Sequence, residues 1–293
     1  MRTTRIVLAV LAVLALLGTS ATAASAQPRG FRHYVALGDS YTAGPLIPLQ
    51  RLDPLGCARS TANYPALLAV ALHVPRFTDI SCSGADTGDL TQAQDVPLGV
   101  NPPQLSALRP DTDLVTVGIG GNDSGVFGSL VGTCPGLRAS DPSGNPCQRH
   151  FTVDGVDTMK ALLAATSENV RQVLAEIHAR APRAEVLAIG YPRIAPESGS
   201  CPDVLPFADG DYAWLSSVEE ALNAAVEQAV AADGDASYVD TFTPSAGHDA
   251  CARTGAAWIN GKDTKLLAAA AYHPLPIGMA GIAGVIRHHL ADH

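Results

Sequence analysis

Ser40, His273, Gly84 and Asn122 are the residues whose types and settings could do chemistry together. Acyl transfer needs a hydroxyl nucleophile, a base to take its proton, and N–H donors about 2.7–3.1 Å from where a tetrahedral oxyanion forms. Ser40 offers the hydroxyl and its own N–H. Gly84 offers a backbone N–H with no side chain in the way, and Asn122 a side-chain amide. His273, in Ala270-Ala271-Tyr272-His273-Pro274, is the best-placed base, on a loop that Pro274 makes extended. Among nine histidines its rivals are His33, just ahead of the first strand, and His248.

Each of these residues also has an ordinary structural use. Ser and Asp are preferred helix N-caps, glycine serves tight turns, and asparagine makes Asx-turns. What favours chemistry is their placement at strand ends. Tyr34–Leu37 is a short apolar strand that stops at Gly38, and Asp39-Ser40 follows at the mouth of a helix. Phe77–Cys82 is a second strand, running into Ser83-Gly84-Ala85-Asp86, and Leu114–Ile119 a third, running into Gly120-Gly121-Asn122-Asp123. Parallel strands point their carboxyl ends the same way, so Ser40, Gly84 and Asn122 are expected at one edge of one sheet.

The rest of the chain supplies the scaffold. Asn63–Leu72 is expected as a capped helix, Asp157–Arg180 as the longest helix and Glu185–Ile189 as a fourth strand. Ala213–Ala232 is expected as a helix, Ser237–Phe242 as a fifth strand and Pro276–His289 as the final helix. Gly132–Asp154 lacks periodicity and reads as a loop pinned by a cysteine pair. The alternation predicts an α/β fold, a three-layer sandwich around a parallel sheet of about five strands in a flavodoxin-like 2-1-3-4-5 order.

Composition narrows the function classes. With 28 acidic residues against 19 basic ones, the formal net charge of −9 disfavours nucleic acid and anionic lipid as partners. Arg2 and Arg5, the apolar run Ile6–Leu17 and the small-residue site Ala24-Ser25-Ala26 read as a cleaved export signal over residues 1–26. That run falls short of the roughly 20 apolar residues that span a bilayer, so no stable membrane anchor is expected. Residues 27–293 are expected to form one extracellular, monomeric domain. Cys57, Cys82, Cys134, Cys147, Cys201 and Cys251 are an even set in an exported chain. Several pairings are open; the sequential one, Cys57–Cys82, Cys134–Cys147 and Cys201–Cys251, is expected because each bridge then closes one local excursion. No C-x-x-C or histidine cluster suggests a metal, and neither metal nor cofactor is expected.

Gly38-Asp39-Ser40 with Gly44, then Gly84, then Gly120-Gly121-Asn122-Asp123, then His273-Pro274 resembles the four ordered blocks of the GDSL/SGNH hydrolases. The cysteine pairs resemble those of its secreted actinobacterial lipases and esterases. The resemblance covers nearly all of the chain beyond the export signal. It implies Ser40 as nucleophile, Gly84 and Asn122 completing the oxyanion hole, and His273 as general base and then acid. One position departs from the family pattern: the aspartate three residues before the histidine is Ala270 here. A carboxylate there orients imidazole and stabilises imidazolium. The resemblance to relatives that use a main-chain carbonyl assigns the role to Ala270 C=O, with Asp263 as the side-chain alternative. Asp39 and Asp123 are expected to hold the strand-end loops through backbone N–H groups.

Other readings remain open at this level. Gly118-Ile119-Gly120-Gly121-Asn122-Asp123 ends in Asp where a dinucleotide loop needs Gly, and no G-x-S-x-G elbow is present. Apolar residues near the motifs, Leu46, Ile47, Val126, Phe127 and Leu130, fit a lipid ester substrate or a core. An acetylesterase of carbohydrate or cell-wall substrates and a silent binding protein of the same fold are the alternatives.

Overall fold

The computed structural model describes residues 30–292, so the export signal expected over residues 1–26 lies outside the described residues. Five parallel strands form one sheet: β1 (His33–Gly38), β2 (Arg76–Asp79), β3 (Leu114–Gly118), β4 (Glu185–Ile189) and β5 (Ser237–Val239). Their order is β2-β1-β3-β4-β5, the expected 2-1-3-4-5 arrangement. Strand β2 is shorter than expected, but Ile80 N–H and Cys82 N–H still donate to Ala36 O (3.0 Å) and Gly38 O (2.9 Å), so that chain stays beside β1 up to the site.

Seven helices are present among the described residues: α1 (Ser40–Ala43), α2 (Tyr64–Ala71), α3 (Val126–Arg138), α4 (Pro146–His150), α5 (Thr158–Arg180), α6 (Tyr212–Asp233) and α7 (Pro276–Asp292). Side chains alternate across a strand with period two. Val35 and Leu37 of β1 pack with Val170, Leu174 and Ile177 of α5 and Val226 of α6. Tyr34 and Ala36 pack on the other face with Leu68 of α2 and Met279, Ile282 and Ile286 of α7. The result is three layers. At about 1.5–3 kcal/mol for each fully buried large apolar side chain, burial on these two faces contributes strongly to folding.

A third apolar cluster lies beyond the sheet. It joins Tyr41, Val126, Leu130, Leu163, Tyr191, Leu205, Phe207, Leu215 and Val218. Part of it comes from residues 132–154, which differ from the loop expected there. Helix α3 runs to Arg138 and α4 occupies Pro146–His150. Gly128, Gly132, Pro135 and Gly136 hide this helix from a propensity argument. Val126, Leu130 and Cys134 recur at four-residue spacing and are all buried, and that packing outweighs the weak propensity.

The three cysteine pairs are joined as expected: Cys57–Cys82, Cys134–Cys147 and Cys201–Cys251. Among the described residues no helix is long and apolar enough to cross a membrane.

Candidate active site

Helix α1 starts against the end of β1 because Gly38 permits it. Its φ is +149°, and a Cβ there would lie 2.3 Å from Thr42 Oγ1 and 2.5 Å from Gly118 O. Asp39 is the N-cap: its Oδ1 accepts from Tyr41 N–H at 2.8 Å, while its own N–H donates to Gly118 O at 3.0 Å. Ser40 is therefore the first helical residue, and its N–H is one of the orphan donors of a helix start.

His273 meets this serine across 233 residues of sequence, with Nε2 2.8 Å from Ser40 Oγ. Its Nδ1 lies 2.6 Å from the carbonyl oxygen of Ala271. A carbonyl can only accept, so Nδ1 carries the hydrogen and Nε2 presents its lone pair to the serine hydroxyl. Burial holds the imidazole below its ordinary pKa, offset in part by the Ala271 carbonyl. The neutral base is thus the favoured form near neutrality.

The orienting carbonyl corrects the expectation for Ala270. Ala270 O accepts from His273 N–H at 3.3 Å and from Asn260 Nδ2 at 3.0 Å, and so is engaged elsewhere. Tyr272 has a φ of +60°, which folds the His273 ring back to the carbonyl two residues before it. Asp263 makes no bond to His273; its carbonyl accepts from Asn260 Nδ2 at 2.7 Å. The rival histidines lie elsewhere. His33 contacts Thr112 Oγ1 at the opposite end of β1, and His248 Nδ1 sits 2.7 Å from Ala256 O.

Gly84 and Asn122 stand on the turns after β2 and β3. Gly84 has a φ of +80°, its neighbours Ser83 and Ala85 donate to Cys57 O and Cys82 O, and its own N–H donates to no backbone carbonyl. Asn122 Nδ2 donates one hydrogen to Ala85 O at 2.9 Å, which orients the amide and leaves the second hydrogen free. Cys57–Cys82 and the bond from Ser83 N–H to Cys57 O tie the Gly84 turn to the loop that follows Ser40.

Asp123 and Asp39 behave as loop braces, as expected. Asp123 accepts from Thr87 N–H (3.0 Å), Thr87 Oγ1 (2.9 Å) and Asn169 Nδ2 (2.9 Å). Asp39 also accepts from Tyr191, a partner that sequence reasoning missed. The signal was there in principle: Tyr191 follows β4, at the same sheet edge as the other site residues. Burial pushes the Asp39 carboxyl up to about 7, against the lowering effect of its Tyr191 and Tyr41 donors.

An apolar cleft opens from Ser40 and Asn122 and runs between α3, α5 and α6. Phe127, Leu130, Leu163, Leu215 and Val218 line it, with Glu219 among them. Burial pushes the Glu219 carboxyl up to about 8, although Ile194 and Ala195 N–H groups donate to it. Of the apolar residues singled out from sequence, Val126, Phe127 and Leu130 line this cleft, whereas Ile47 packs into the α2–α7 core. The arrangement can activate a hydroxyl, hold an oxyanion and take an apolar chain.

Comparison with known proteins identifies the family. The model of the GDSL-like Lipase/Acylhydrolase family matches residues 36–280. The chain is 42% identical over 231 residues to Lipase 2 of Streptomyces coelicolor, covering 77% of this chain and 75% of that protein. Among solved structures it is similar to phospholipase A1 from Streptomyces albidoflavus NA297, with TM-score 0.73 and 28% identity, covering 88% of this chain and 99% of that one. It is also similar to the extracellular lipase from Streptomyces rimosus, with TM-score 0.65 and 30% identity over the same shares.

Proposed function

We propose, from the premise that this chain belongs to the GDSL-like lipase/acylhydrolase family and is an ester hydrolase, that it cleaves acyl esters through an acyl-enzyme on Ser40. The observation that carries the reading is the 2.8 Å approach of His273 Nε2 to Ser40 Oγ. His273 takes the hydroxyl proton as Oγ attacks the ester carbonyl. The N–H groups of Ser40 and Gly84 and the free Asn122 amide hydrogen receive the oxyanion. The resulting imidazolium returns its proton to the leaving alkoxide. Water, activated by the same imidazole, then releases the acid.

Among the described residues no carboxylate bonds this imidazole, so the Ala271 carbonyl fixes its tautomer and gives only dipolar support to the imidazolium. The apolar cleft beside Ser40 supports acyl chains longer than acetate as substrates. Export is part of the same reading. Three disulfides suit an oxidising compartment, and residues 27–293 would form a single extracellular catalytic domain.

Hydrolysis of p-nitrophenyl esters from acetate to palmitate, with Ser40→Ala beside the parent, tests this. The expected result is Ser40-dependent turnover extending to long chains. Turnover confined to acetate would support an acetylesterase instead, and turnover that survives Ser40→Ala would overturn the mechanism.

A further inference from the structure

The carbonyls around His273 are almost all engaged. Ala269 O accepts from Lys265 N–H at 2.9 Å, and Ala270 O from His273 N–H and Asn260 Nδ2. Tyr272 O accepts from the Tyr41 hydroxyl at 2.6 Å, and His273 O from Asn260 N–H at 2.9 Å. Ala271 O alone in this run is left to the imidazole. Asn260, fully buried, also donates from Nδ2 to Asp263 O at 2.7 Å. With carbonyls on that side, the amide nitrogen and not its oxygen must face the loop.

Tyr272 is the strained point. A non-glycine residue at φ +60° is disfavoured unless its surroundings hold it. Two bonds do so: Tyr272 N–H to Gly261 O at 2.9 Å, and the Tyr41 hydroxyl to Tyr272 O. Tyr41 is the residue directly after Ser40. A single hydroxyl thus connects the helix carrying the nucleophile to the peptide group preceding the base, 231 residues away in sequence.

We propose that Tyr41 and Asn260 are positioning residues that together do the orienting work an aspartate does elsewhere: Tyr41 holds Tyr272 left-handed, Asn260 occupies the neighbouring carbonyl, and Ala271 O is thereby the acceptor presented to His273 Nδ1. The inference rests on the Ser40–His273 reading and deepens it. Tyr41 lines the cleft with its ring, but its hydroxyl donates to the Tyr272 carbonyl and phenylalanine keeps the ring, so loss of the hydroxyl acts on kcat rather than on KM. The Ala271 carbonyl raises the affinity of the imidazole for its second proton. Losing that acceptor moves the acid limb of kcat/KM to lower pH.

The test is Tyr41→Phe, Asn260→Asp and the double variant Tyr41→Phe/Tyr272→Gly, with Ser40→Ala in the same ester assay. Tyr41→Phe is expected to remain folded by circular dichroism, to lose about 10²-fold in kcat at little change in KM, and to shift its acid limb downward. Glycine adopts positive φ freely, so Tyr272→Gly should recover about tenfold of that loss. Asn260→Asp, isosteric but lacking the Nδ2 donor, should lower kcat in the same manner. Tyr41→Phe with kcat within twofold of the parent, or a loss with an unmoved acid limb and no glycine recovery, overturns the proposal. Ser40→Ala remaining active would instead remove the reading beneath it.

Discussion

The hydroxyl of Tyr191 donates to Oδ2 of Asp39 at 2.5 Å, across 152 residues of sequence, and accepts from Gly121 N–H at 2.9 Å. One side chain from the end of β4 thereby ties the serine turn to the loop carrying Asn122. Phenylalanine at 191 would leave Gly121 N–H unpaired and deprive Asp39 of a donor. A buried group left unsatisfied costs about 1–3 kcal/mol. Tyr191→Phe should lower the melting temperature by several degrees and reduce kcat as the Asn122 amide loses registry. Unchanged values of both in scanning fluorimetry and ester hydrolysis would show that the tie is dispensable.

Glu219 gives the stability of the protein a pH dependence. Its carboxyl is raised from 4.5 to about 8 in the folded state, chiefly by burial, so the folded state holds its proton more tightly than the unfolded one. The stabilisation this contributes is complete below about pH 4.5 and is lost as pH rises through 8. Asp39, raised from 3.8 to about 7, acts in the same direction over its own window. Glu219→Gln removes one titration, so its melting temperature should decline less than the parent's between pH 5 and 8. Parallel curves for the two proteins would refute this.

On the proposed mechanism the base works without a carboxylate. Asp263→Ala should therefore leave kcat nearly intact, and a thousandfold loss with the fold retained would return the orienting role to Asp263. Because burial holds His273 below 6.5, the acid limb of kcat/KM should fall on the acidic side of that value. A limb above 6.5 in a buffered pH series would contradict the environment described for the ring.

On the proposed reading, the cleft walls set the acyl chain length that is accepted. Val218, on α6, lines the cleft and is 3% exposed, so a larger ring there must take space from the acyl chain. Val218→Phe should depress palmitate ester turnover by at least about tenfold relative to acetate. Equal loss on both esters would mean that chains bind elsewhere.

Local chemistry is why so much could be read before any coordinates. Short apolar strand runs alternating with helical stretches, the glycine at 38, the cap Asn63 and the order of the motifs are properties of neighbouring residues, and they imply a parallel sheet with Ser40, Gly84 and Asn122 at one edge. Helix α3 was hidden for the same reason, since Gly132 and Pro135 speak against a helix locally and only burial of Leu130 and Cys134 speaks for it.

What the amino-acid order by itself made legible is the scaffold and the motifs that carry Ser40, Gly84, Asn122 and His273, because each leaves a signature within a few residues. Only the tertiary structure decided that Ala271, not Ala270, faces the imidazole, and that Tyr191 and Tyr41 brace the site. Those choices turn on one positive φ and on hydroxyls arriving from distant segments. The direction of a carbonyl or a phenol is set by every contact around it, and no local pattern records that sum.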